Sequence, residues 1–424
     1  MEYWFENPTL KAILSMAYGS KSIRGLTTIF NTPKIFFGFK VFPEGPWLGP
    51  EVMDSLVVRC PKKRAFLVTD EYGERFAKTV VQFLQNGGFT TEVWSGALPE
   101  APLDSVRACA KVMTDFEPDL IMAVGGGSPM DTAKVAWLMY ERPDLADTIE
   151  IVSPLDKLNL RKKAVLAAVP TTAGTGSECT YAAVVHDTEN NRKAPLAHDE
   201  LVPDFAILNP EFTTSMPPGL TVGTGLDVLS HAVDAVTAPA ANDFTDPYAL
   251  RAIEMVFEWL PKAYRNGDDR EARMKMMIAA CLSGAAFGMS ACHVTHVLGH
   301  SLGAAFNIHH GLSVGIFVPQ SLQFCSTVTD KHLLICKALE IGGATTRDKL
   351  DNLVRRVRDL LTELDVPLAL KDHGISMDEF EGKMGALVEN AFGDPTNYMA
   401  PRPVTKDQCE RIYRYAYEGK DIDF

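Results

Sequence analysis

The 424-residue sequence predicts an α/β domain built on a parallel sheet, followed by an all-α domain. Three observations support this fold class. Short apolar runs alternate with helical patterns between about residues 60 and 210. From about residue 211, apolar residues recur with the 3.6-residue period of helices, and strand-like segments nearly disappear. A chain of this length also exceeds one ordinary hydrophobic core, so two domains are expected.

Five apolar runs in the first half are predicted to be buried strands, because strands of a parallel sheet are covered by helices on both faces. They are RAFLVT (64–69), TTEVWS (90–95), DLIMAVGG (119–126), AVLAAVP (164–170) and FAILNP (205–210). Helical patterns such as those at 71–85 and 105–116 separate them, and this alternation predicts a parallel sheet. Two polar stretches, TTAGTGSECT (171–180) and HDTENNRKAPLAHDEL (186–201), interrupt the pattern and are expected to form a hairpin over the sheet edge.

The second half is predicted to be helical throughout, beginning at MPPGL (216–220). The chain has neither an internal repeat nor a long linker. The two domains are therefore expected to pack closely with a cleft between them.

The composition limits the classes of partner. A formal net charge of -13 and a pI near 5.3 argue against nucleic acid and anionic membranes. Small molecules and other copies of the chain are the expected partners, the latter in a homo-oligomer that is a dimer or larger. Eight cysteines without a CxxC pair indicate reduced, buried thiols. The N-terminus lacks the pattern of a signal peptide and no stretch reaches about 18 apolar residues, so we expect a cytoplasmic protein.

Histidines are crowded in one part of the second half. Five of the ten lie within CHVTHVLGHSLGAAFNIHHG (292–311), and Asp227 and His231 stand upstream in GTGLDVLSHAVDA (223–235). The latter pair would project from one face of a helix, one turn apart. Taken alone, such a pair is more often an intrahelical hydrogen bond. So many imidazoles in an apolar setting would be hard to satisfy by hydrogen bonds, however, so the two clusters together favour a metal ion held between helices.

A glycine-rich turn follows the strand DLIMAV and leads into a helix, in GGGSPMDTAK (125–134). Glycines let backbone N–H groups approach a ligand, and the helix N-terminus carries a partial positive charge, so this turn predicts a pyrophosphate site. It is neither the GxGxxG fingerprint nor a P-loop. Asp70, at the end of the first strand, is placed to accept hydrogen bonds from a ribose and to repel a 2′-phosphate, although a helix N-cap is an equal reading. The loop PTTAGTGSE (170–178) offers hydroxyls at another strand end.

Taken together, GGGSPMDTAK, PTTAGTGSE, GTGLDVLSHAVDA and the spaced histidines ending in HHG resemble the iron-dependent (group III) alcohol dehydrogenases. The resemblance runs from about Lys34 to the C-terminus. Within the family, the sequence is especially similar to the alcohol dehydrogenase domain of bifunctional aldehyde-alcohol dehydrogenases. The resemblance implies a dehydroquinate synthase-like nucleotide-binding domain at 34–210 and an all-helical metal-binding domain at 211–424. Residues 1–33 then form an N-terminal extension, whose aromatics Tyr3, Trp4 and Phe5 suggest packing on the body or on a neighbouring subunit. An extended segment, KVFPEGPWLGPEVM (40–53), also departs from the family.

The resemblance also implies roles for individual residues. The metal ligands would be Asp227, His231, His296 and His310. His300 would line the site as a catalytic proton relay without binding the metal, while His293 and His309 would stay outside the ligand set. Residues that would contact NAD(H) are Asp70, Gly125, Gly126, Gly127, Ser128, Asp131, Thr171, Thr172, Thr175 and Lys193. Residues that would form the substrate pocket are Ala182, Val184 and Phe287.

The implied activity is hydride transfer between an alcohol, held on the metal, and nicotinamide, or the reverse reduction of an aldehyde. Fe(II) is the usual ion of the family, and Zn(II) or Mn(II) would suit the same ligands. An NAD- and metal-dependent carbocycle-forming lyase of the dehydroquinate synthase type is the nearest alternative, but it needs a basic pocket, and Ser128 stands where a lysine would be expected. A glycerol dehydrogenase-like polyol dehydrogenase and a non-enzymatic scaffold are further alternatives.

Overall fold

The computed structural model describes Tyr3 and the ranges 6–12, 29–43, 50–147, 149, 152–189 and 192–424. Contacts divide the chain into two compact units. One comprises Met1–Asn7 with Asn31–Ser215, and the other Pro8–Phe30 with Met216–Phe424. We call them the α/β unit and the helical unit.

The α/β unit contains eight strands and four α-helices among its described residues. The strands are β1 (Lys34–Phe37), β2 (Arg64–Val68), β3 (Thr90–Trp94), β4 (Leu120–Gly125), β5 (Val165–Pro170), β6 (Ala182–Asp187), β7 (Arg192–Ala197) and β8 (Phe205–Leu208). The helices are α1 (Pro50–Arg59), α2 (Glu74–Asn86), α3 (Leu103–Phe116) and α4 (Gly127–Glu141). The parallel sheet and its five predicted strands are therefore present. Burial was predicted wrongly for β3, which lies at the edge of the sheet and whose residues are exposed or only partly buried.

Six strands form one parallel sheet in the order β1-β8-β5-β4-β2-β3. The chain runs from β2 to β3 on one side and then returns to place β4 on the other side of β2. The carboxyl ends of β2 and β4 therefore flank the point where the strand order reverses, which is where open α/β sheets bind their ligands. A hydrophobic core that includes Leu67, Leu84, Val124 and Ile207 packs the helices against this sheet.

The predicted hairpin exists, but only the second polar stretch belongs to it. Strands β6 and β7 pair antiparallel, with Ala182 opposite Ala197 and Asp187 opposite Arg192. The stretch TTAGTGSECT instead forms a loop with a short 3-10 helix, Ser177–Cys179. Its glycines and small polar residues favour turns over a strand ladder, which explains why this part of the prediction was wrong.

In the helical unit the described residues 8–12 are helical, and ten further α-helices, with no strand, follow between residues 216 and 424. They are α5 (Pro218–Thr237), α6 (Asp246–Arg265), α7 (Arg270–Ser290), α8 (Val294–Phe306), α9 (His310–Ile316), α10 (Val318–Cys325), α11 (His332–Ala338), α12 (Thr346–Glu363), α13 (Met377–Gly393) and α14 (Lys406–Glu418). The fold class predicted from the sequence is thus confirmed in both halves. No single helix in the described ranges has the length and apolar composition of a membrane span; one pair, α7 and α8, passes only when joined across a bend of 109°.

The N-terminal region departs from expectation in one place. Residues 50–53 form the first turn of α1, with Glu51 favourably placed near the helix N-terminus, so this end of the 40–53 segment is helical instead of extended. Residues 44–49 lie outside the described part. Tyr3 is buried, and its hydroxyl donates to Asp187 at 2.6 Å, as the prediction of packing on the body required. Trp4 and Phe5 lie outside the described residues. All eight cysteines are buried and free of disulfides.

Candidate functional site

Helix α5 carries Asp227 and His231 one turn apart, as predicted, and every residue of it from Thr221 to Thr237 is buried. Short helix α9 approaches α5 at a glycine. A Cβ on Gly311 would lie 2.1 Å from the carbonyl oxygen of Gly223, so only glycine permits this contact. Since His310 precedes Gly311, the close approach brings its imidazole beside Asp227.

A sharp bend between α7 and α8 supplies the next ligand. Ala291 lies at the bend with φ +95°, a backbone conformation that residues with a side chain rarely adopt. His293 begins α8 as its N-cap, and its side chain accepts a hydrogen bond from the N–H of Val294 at 2.8 Å. The bend and cap together aim α8, with His296 and His300 on one face, at α5.

The four predicted metal ligands come together within the helical unit. One ligand atom from each of Asp227, His231, His296 and His310 lies within 4.8 Å of the others. The imidazole Nε2 atoms of His231 and His310 are 3.6 and 3.4 Å from Oδ1 of Asp227. Oδ1 of Asp227 and Nε2 of His296 are buried without a hydrogen-bond partner among the described residues. Two unpaired buried acceptors that face one another are costly unless a cation lies between them, so these residues fit a divalent metal ion.

The ionisation of two ligands also suits a metal. Burial raises the pKa of Asp227, but the imidazoles of His231 and His310 outweigh it and hold this pKa well below its usual range. Burial lowers the pKa of His231 to about 3. Near neutral pH, Asp227 is thus a carboxylate and His231 a neutral imidazole, the forms that bind metals.

Asp234, which the sequence reading did not single out, orients the third ligand. Its Oδ2 lies 3.2 Å from Nδ1 of His296 and accepts from the hydroxyl of Thr295 and the N–H of His293 at 2.6 and 2.7 Å. With the Nδ1 proton of His296 directed to this carboxylate, the lone pair of Nε2 is left for a metal. His293 is wholly buried and contacts Thr237 and Asp234, so it supports the ligands and does not join them.

His300 and Phe287 lie beside the ligand cluster. Nδ1 of His300 hydrogen-bonds Asp394 at 2.7 Å, and its ring lies 5.2 Å from that of His310. The Phe287 ring stacks on His231 with centroids 4.0 Å apart, which gives the cluster one apolar wall. His309 is exposed and caps α9 next to His310.

In the α/β unit, the glycine turn lies at the carboxyl end of β4. Helix α4 begins at Gly127, directly after that strand, and the N–H of Thr171 donates to the carbonyl of Gly125 at 2.9 Å. A Cβ on Gly127 would lie 3.2 Å from Cγ2 of Thr175. The glycine turn and the threonine loop after β5, which carries Thr171, Thr172 and Thr175, are therefore neighbours at one edge of the sheet.

Asp70 lies at the same edge, after β2. Its Oδ1 accepts the N–H of Gly73 at 2.6 Å, a contact within the turn before α2. The N-cap of α2 is Gly73, so Asp70 is not the helix N-cap that the sequence offered as an alternative. None of the described residues forms a hydrogen bond with Oδ2 of Asp70. The neighbouring Thr69 ties the two strand ends together by donating to the carbonyl of Val124 at 2.7 Å.

The remaining predicted residues connect α4 with the hairpin. Asp131 is partly buried on α4, and its Oδ2 accepts the N–H of Val184 at 3.0 Å. Lys193, on β7, pairs with Glu100 at 2.8 Å, and the N–H of Glu100 donates to Ser128 at 3.1 Å. Ala182 and Val184 both lie on β6, with Val184 exposed.

Three functional candidates were missed from the sequence. Asp234 had a detectable signal, because it stands seven residues after Asp227 and so on the same helix face. Lys134 is a charged residue within an otherwise apolar helix, but the sequence analysis assigned it no role. Asp394 lies 94 residues from its partner His300, and no spacing argument connects residues so far apart.

Comparison with known proteins identifies the family of the chain. Residues 47–210 match the family described as iron-containing alcohol dehydrogenase, and residues 221–417 match the C-terminal region of the Fe-containing alcohol dehydrogenase family. The NADPH-dependent butanol dehydrogenase of Clostridium saccharobutylicum is 37% identical over 350 residues, covering 82% of this chain and 89% of that protein. A bifunctional aldehyde-alcohol dehydrogenase of Escherichia coli (strain K12) is 32% identical over 407 residues, and the match covers 88% of this chain and 45% of that enzyme.

Solved structures show the same fold. The iron-containing alcohol dehydrogenase of Thermococcus thioreducens superposes with a TM-score of 0.81 at 26% identity, over 92% of this chain and 100% of that one. An alcohol dehydrogenase from Oenococcus oeni gives a TM-score of 0.83 at 26% identity, with the same coverage. The chain belongs to the iron-containing alcohol dehydrogenase family and is an oxidoreductase.

Proposed function

We propose that this alcohol dehydrogenase uses NAD(H) and one divalent metal ion, held by Asp227, His231, His296 and His310, to interconvert alcohols and aldehydes. The ligand cluster, in which Asp227, His231 and His296 are buried and two acceptors are unpaired, is the observation that carries the proposal. Three imidazoles and one carboxylate leave a divalent ion with a net positive charge. Fe(II) is the ion that the family description favours, and Zn(II) or Mn(II) would fit the same ligands.

When bound, the ion would polarise the substrate oxygen and the nicotinamide would exchange a hydride with the adjacent carbon. The chain's own residues provide the rest. Asp394 accepts from Nδ1 of His300 and so leaves Nε2 free to hold or pass a proton. Phe287 covers the His231 ring and presents an apolar surface. Asp234 keeps His296 in the tautomer that its role as a ligand requires.

The α/β unit supports the cofactor assignment. Asp70, the glycine turn Gly125–Gly127 and the threonine loop share the sheet edge where the strand order reverses. The Asp70 carboxylate favours NAD(H) over NADP(H), because it would repel a 2′-phosphate. The butanol dehydrogenase relative is named for NADPH, so this preference is a distinguishing property of the proposal.

The proposed substrates are short primary alcohols and their aldehydes. Phe287 offers an apolar contact, and Ala182 and Val184 are small or aliphatic. The name of the same relative, a butanol dehydrogenase, supports this class. We further propose a cytoplasmic homo-oligomer, consistent with eight buried cysteines that form no disulfide and with a net charge of -13.

The test is reconstitution with Fe(II), Zn(II) or Mn(II), followed by NADH and NADPH oxidation with aldehydes from ethanal to hexanal, a ketone and a semialdehyde. Glycerol oxidation is assayed as well, since a polyol dehydrogenase would prefer it. We expect His310→Ala to lose the ion and turnover, whereas His309→Ala, its exposed neighbour, should keep both. Full metal content and activity in His310→Ala would refute the ligand assignment.

A further inference from the structure

Lys134 is a buried cation in the first half of α4, only 1% exposed. Its ammonium has four acceptors around it, at hydrogen-bonding distances. They are Oγ of Ser177 at 3.0 Å, the carbonyl and Oγ1 of Thr180 at 2.9 and 3.1 Å, and the carbonyl of Ala182 at 2.8 Å. A buried lysine is costly unless such partners compensate for the lost water.

Lys134 and its partners belong to three different segments. Lys134 itself is on α4, the helix that starts at the glycine turn. Ser177 and Thr180 belong to the loop after β5, which also carries the predicted cofactor-contacting threonines. Ala182 begins β6. One ammonium thus connects β6 with α4 and the threonine loop, and the latter two segments with the glycine turn supply most of the proposed dinucleotide contacts.

The same group also reaches Asp131, one turn earlier on α4. The hydroxyl of Ser177 donates to Oδ1 of Asp131 at 3.2 Å, while Oδ2 accepts the N–H of Val184. Burial raises the pKa of Asp131 to about 6 and lowers that of Lys134 to about 8. Near neutral pH the two therefore carry opposite charges in the same buried region, and each favours the ionised form of the other.

We propose that Lys134 is a positioning residue for the dinucleotide: its ammonium fixes the glycine turn of α4, the threonine loop and β6 in the arrangement that receives the cofactor. The inference rests on the proposed function, because it takes these segments to be the cofactor site. Replacing a purely structural lysine would lower folding stability, because its buried partners lose their cation, but it would leave the Kd of NADH for the folded protein unchanged. Replacing a positioning lysine also weakens NADH binding, since the three segments can then shift relative to one another.

The experiment measures the Kd of NADH by fluorescence titration of the metal-loaded protein, for the parent, Lys134→Met and Ser177→Ala. Lys134→Met removes the ammonium at similar volume. Ser177→Ala keeps the charge and deletes the hydroxyl that links Lys134 to Asp131. We expect Lys134→Met to weaken NADH binding roughly tenfold to a hundredfold, as loss of charge-assisted hydrogen bonds does, and Ser177→Ala to weaken it less. The KM for NADH should rise in parallel, with a smaller change in kcat.

Lys163→Met is the matched control. Lys163 is an exposed lysine whose ammonium donates to the carbonyl of Tyr140, near the C-terminal end of the same helix, and lies over the Tyr140 ring. Tyr140 is not one of the predicted cofactor residues. The Lys163→Met variant should bind NADH with the same Kd as the parent. Metal content, which depends on the helical unit, should be unchanged in all three variants.

Each outcome decides a different question. If the parent binds neither NADH nor NADPH, the proposed function fails and this inference fails with it. If the parent binds NADH and a folded Lys134→Met binds it equally well, only the role of Lys134 is overturned. Should Lys134→Met not fold, an unchanged Kd in Ser177→Ala would overturn the inference in the same way.

Discussion

The carboxylate of Asp234 lies 3.2 Å from Nδ1 of His296, and the same oxygen accepts the N–H of His293 at the bend between α7 and α8. One buried residue of α5 therefore sets both the direction of α8 and the tautomer of a predicted ligand that α8 carries.

This relationship predicts that Asp234→Asn weakens the metal site. An amide cannot replace the charge that stabilises the Nδ1 proton of His296, and loss of such outer partners lowers metal affinity by about 10- to 100-fold. Competition with a chelator of known affinity measures the change. Asp246→Asn, on α6, is the control carboxylate and should bind metal normally. Equal affinity in Asp234→Asn and the parent would contradict the assigned role.

A second prediction concerns His300. If it passes a proton at Nε2, His300→Ala should retain metal and lower kcat by roughly 10²- to 10⁴-fold, the contribution typical of general acid-base catalysis. Added imidazole should restore part of the lost kcat, which it would not do for a packing defect. Loss of the metal would instead make His300 a ligand, and an unchanged kcat would leave it without a catalytic role.

A third prediction concerns the cofactor preference. Asp70→Asn removes the charge but keeps an oxygen that can accept the N–H of Gly73. We expect the ratio of kcat/KM for NADPH to that for NADH to rise at least about fivefold, since a repulsion of about 1 kcal/mol or more is relieved. Asp70→Gly, which also removes the hydrogen bond to the N–H of Gly73, should show the same shift with a lower Tm. An unaltered ratio in Asp70→Asn would mean that Asp70 only stabilises the turn before α2.

The fourth prediction concerns stability and pH. Burial raises the pKa of Glu178 to about 7 in the folded chain, above its ordinary value of 4.5. The folded state then holds a proton that the unfolded state has lost, so stability should fall as pH rises from about 4.5 to about 7, by up to about 3 kcal/mol. Glu178→Gln should flatten this fall in urea unfolding measured at pH 5 and pH 8. Glu92→Gln, an exposed carboxylate on β3, should follow the parent.

Strands and helices followed directly from the sequence where one physical pattern dominated. The run DLIMAVGG gave β4 because continuous apolar residues suit a strand covered on both faces. The boundaries of the hairpin were less accessible, since TTAGTGSECT and the true β6–β7 pair are both polar and turn-rich. The local sequence pattern cannot distinguish a loop whose hydrogen bonds are internal from a strand that pairs in a hairpin.

The residues of the candidate site also differ in how far the sequence predicts them. Asp227 and His231 were visible because helical spacing alone places them together. Selecting His296 and His310 over the tempting pair His296 and His300 required the family resemblance, because the decisive contact is the approach of α9 to α5 at Gly311. The pairing of His300 with Asp394 depends wholly on tertiary structure.

All four proposed ligands belong to the helical unit, Pro8–Phe30 with Met216–Phe424. An ion that binds only the native arrangement adds its binding free energy to the unfolding free energy of that unit, about 2.7 kcal/mol when free metal is a hundredfold above Kd. The dinucleotide, through Asp70 and the glycine turn, acts on the α/β unit in the same way. Calorimetry would then resolve the two halves by their ligands, the melting of one following the free metal concentration and that of the other following NADH.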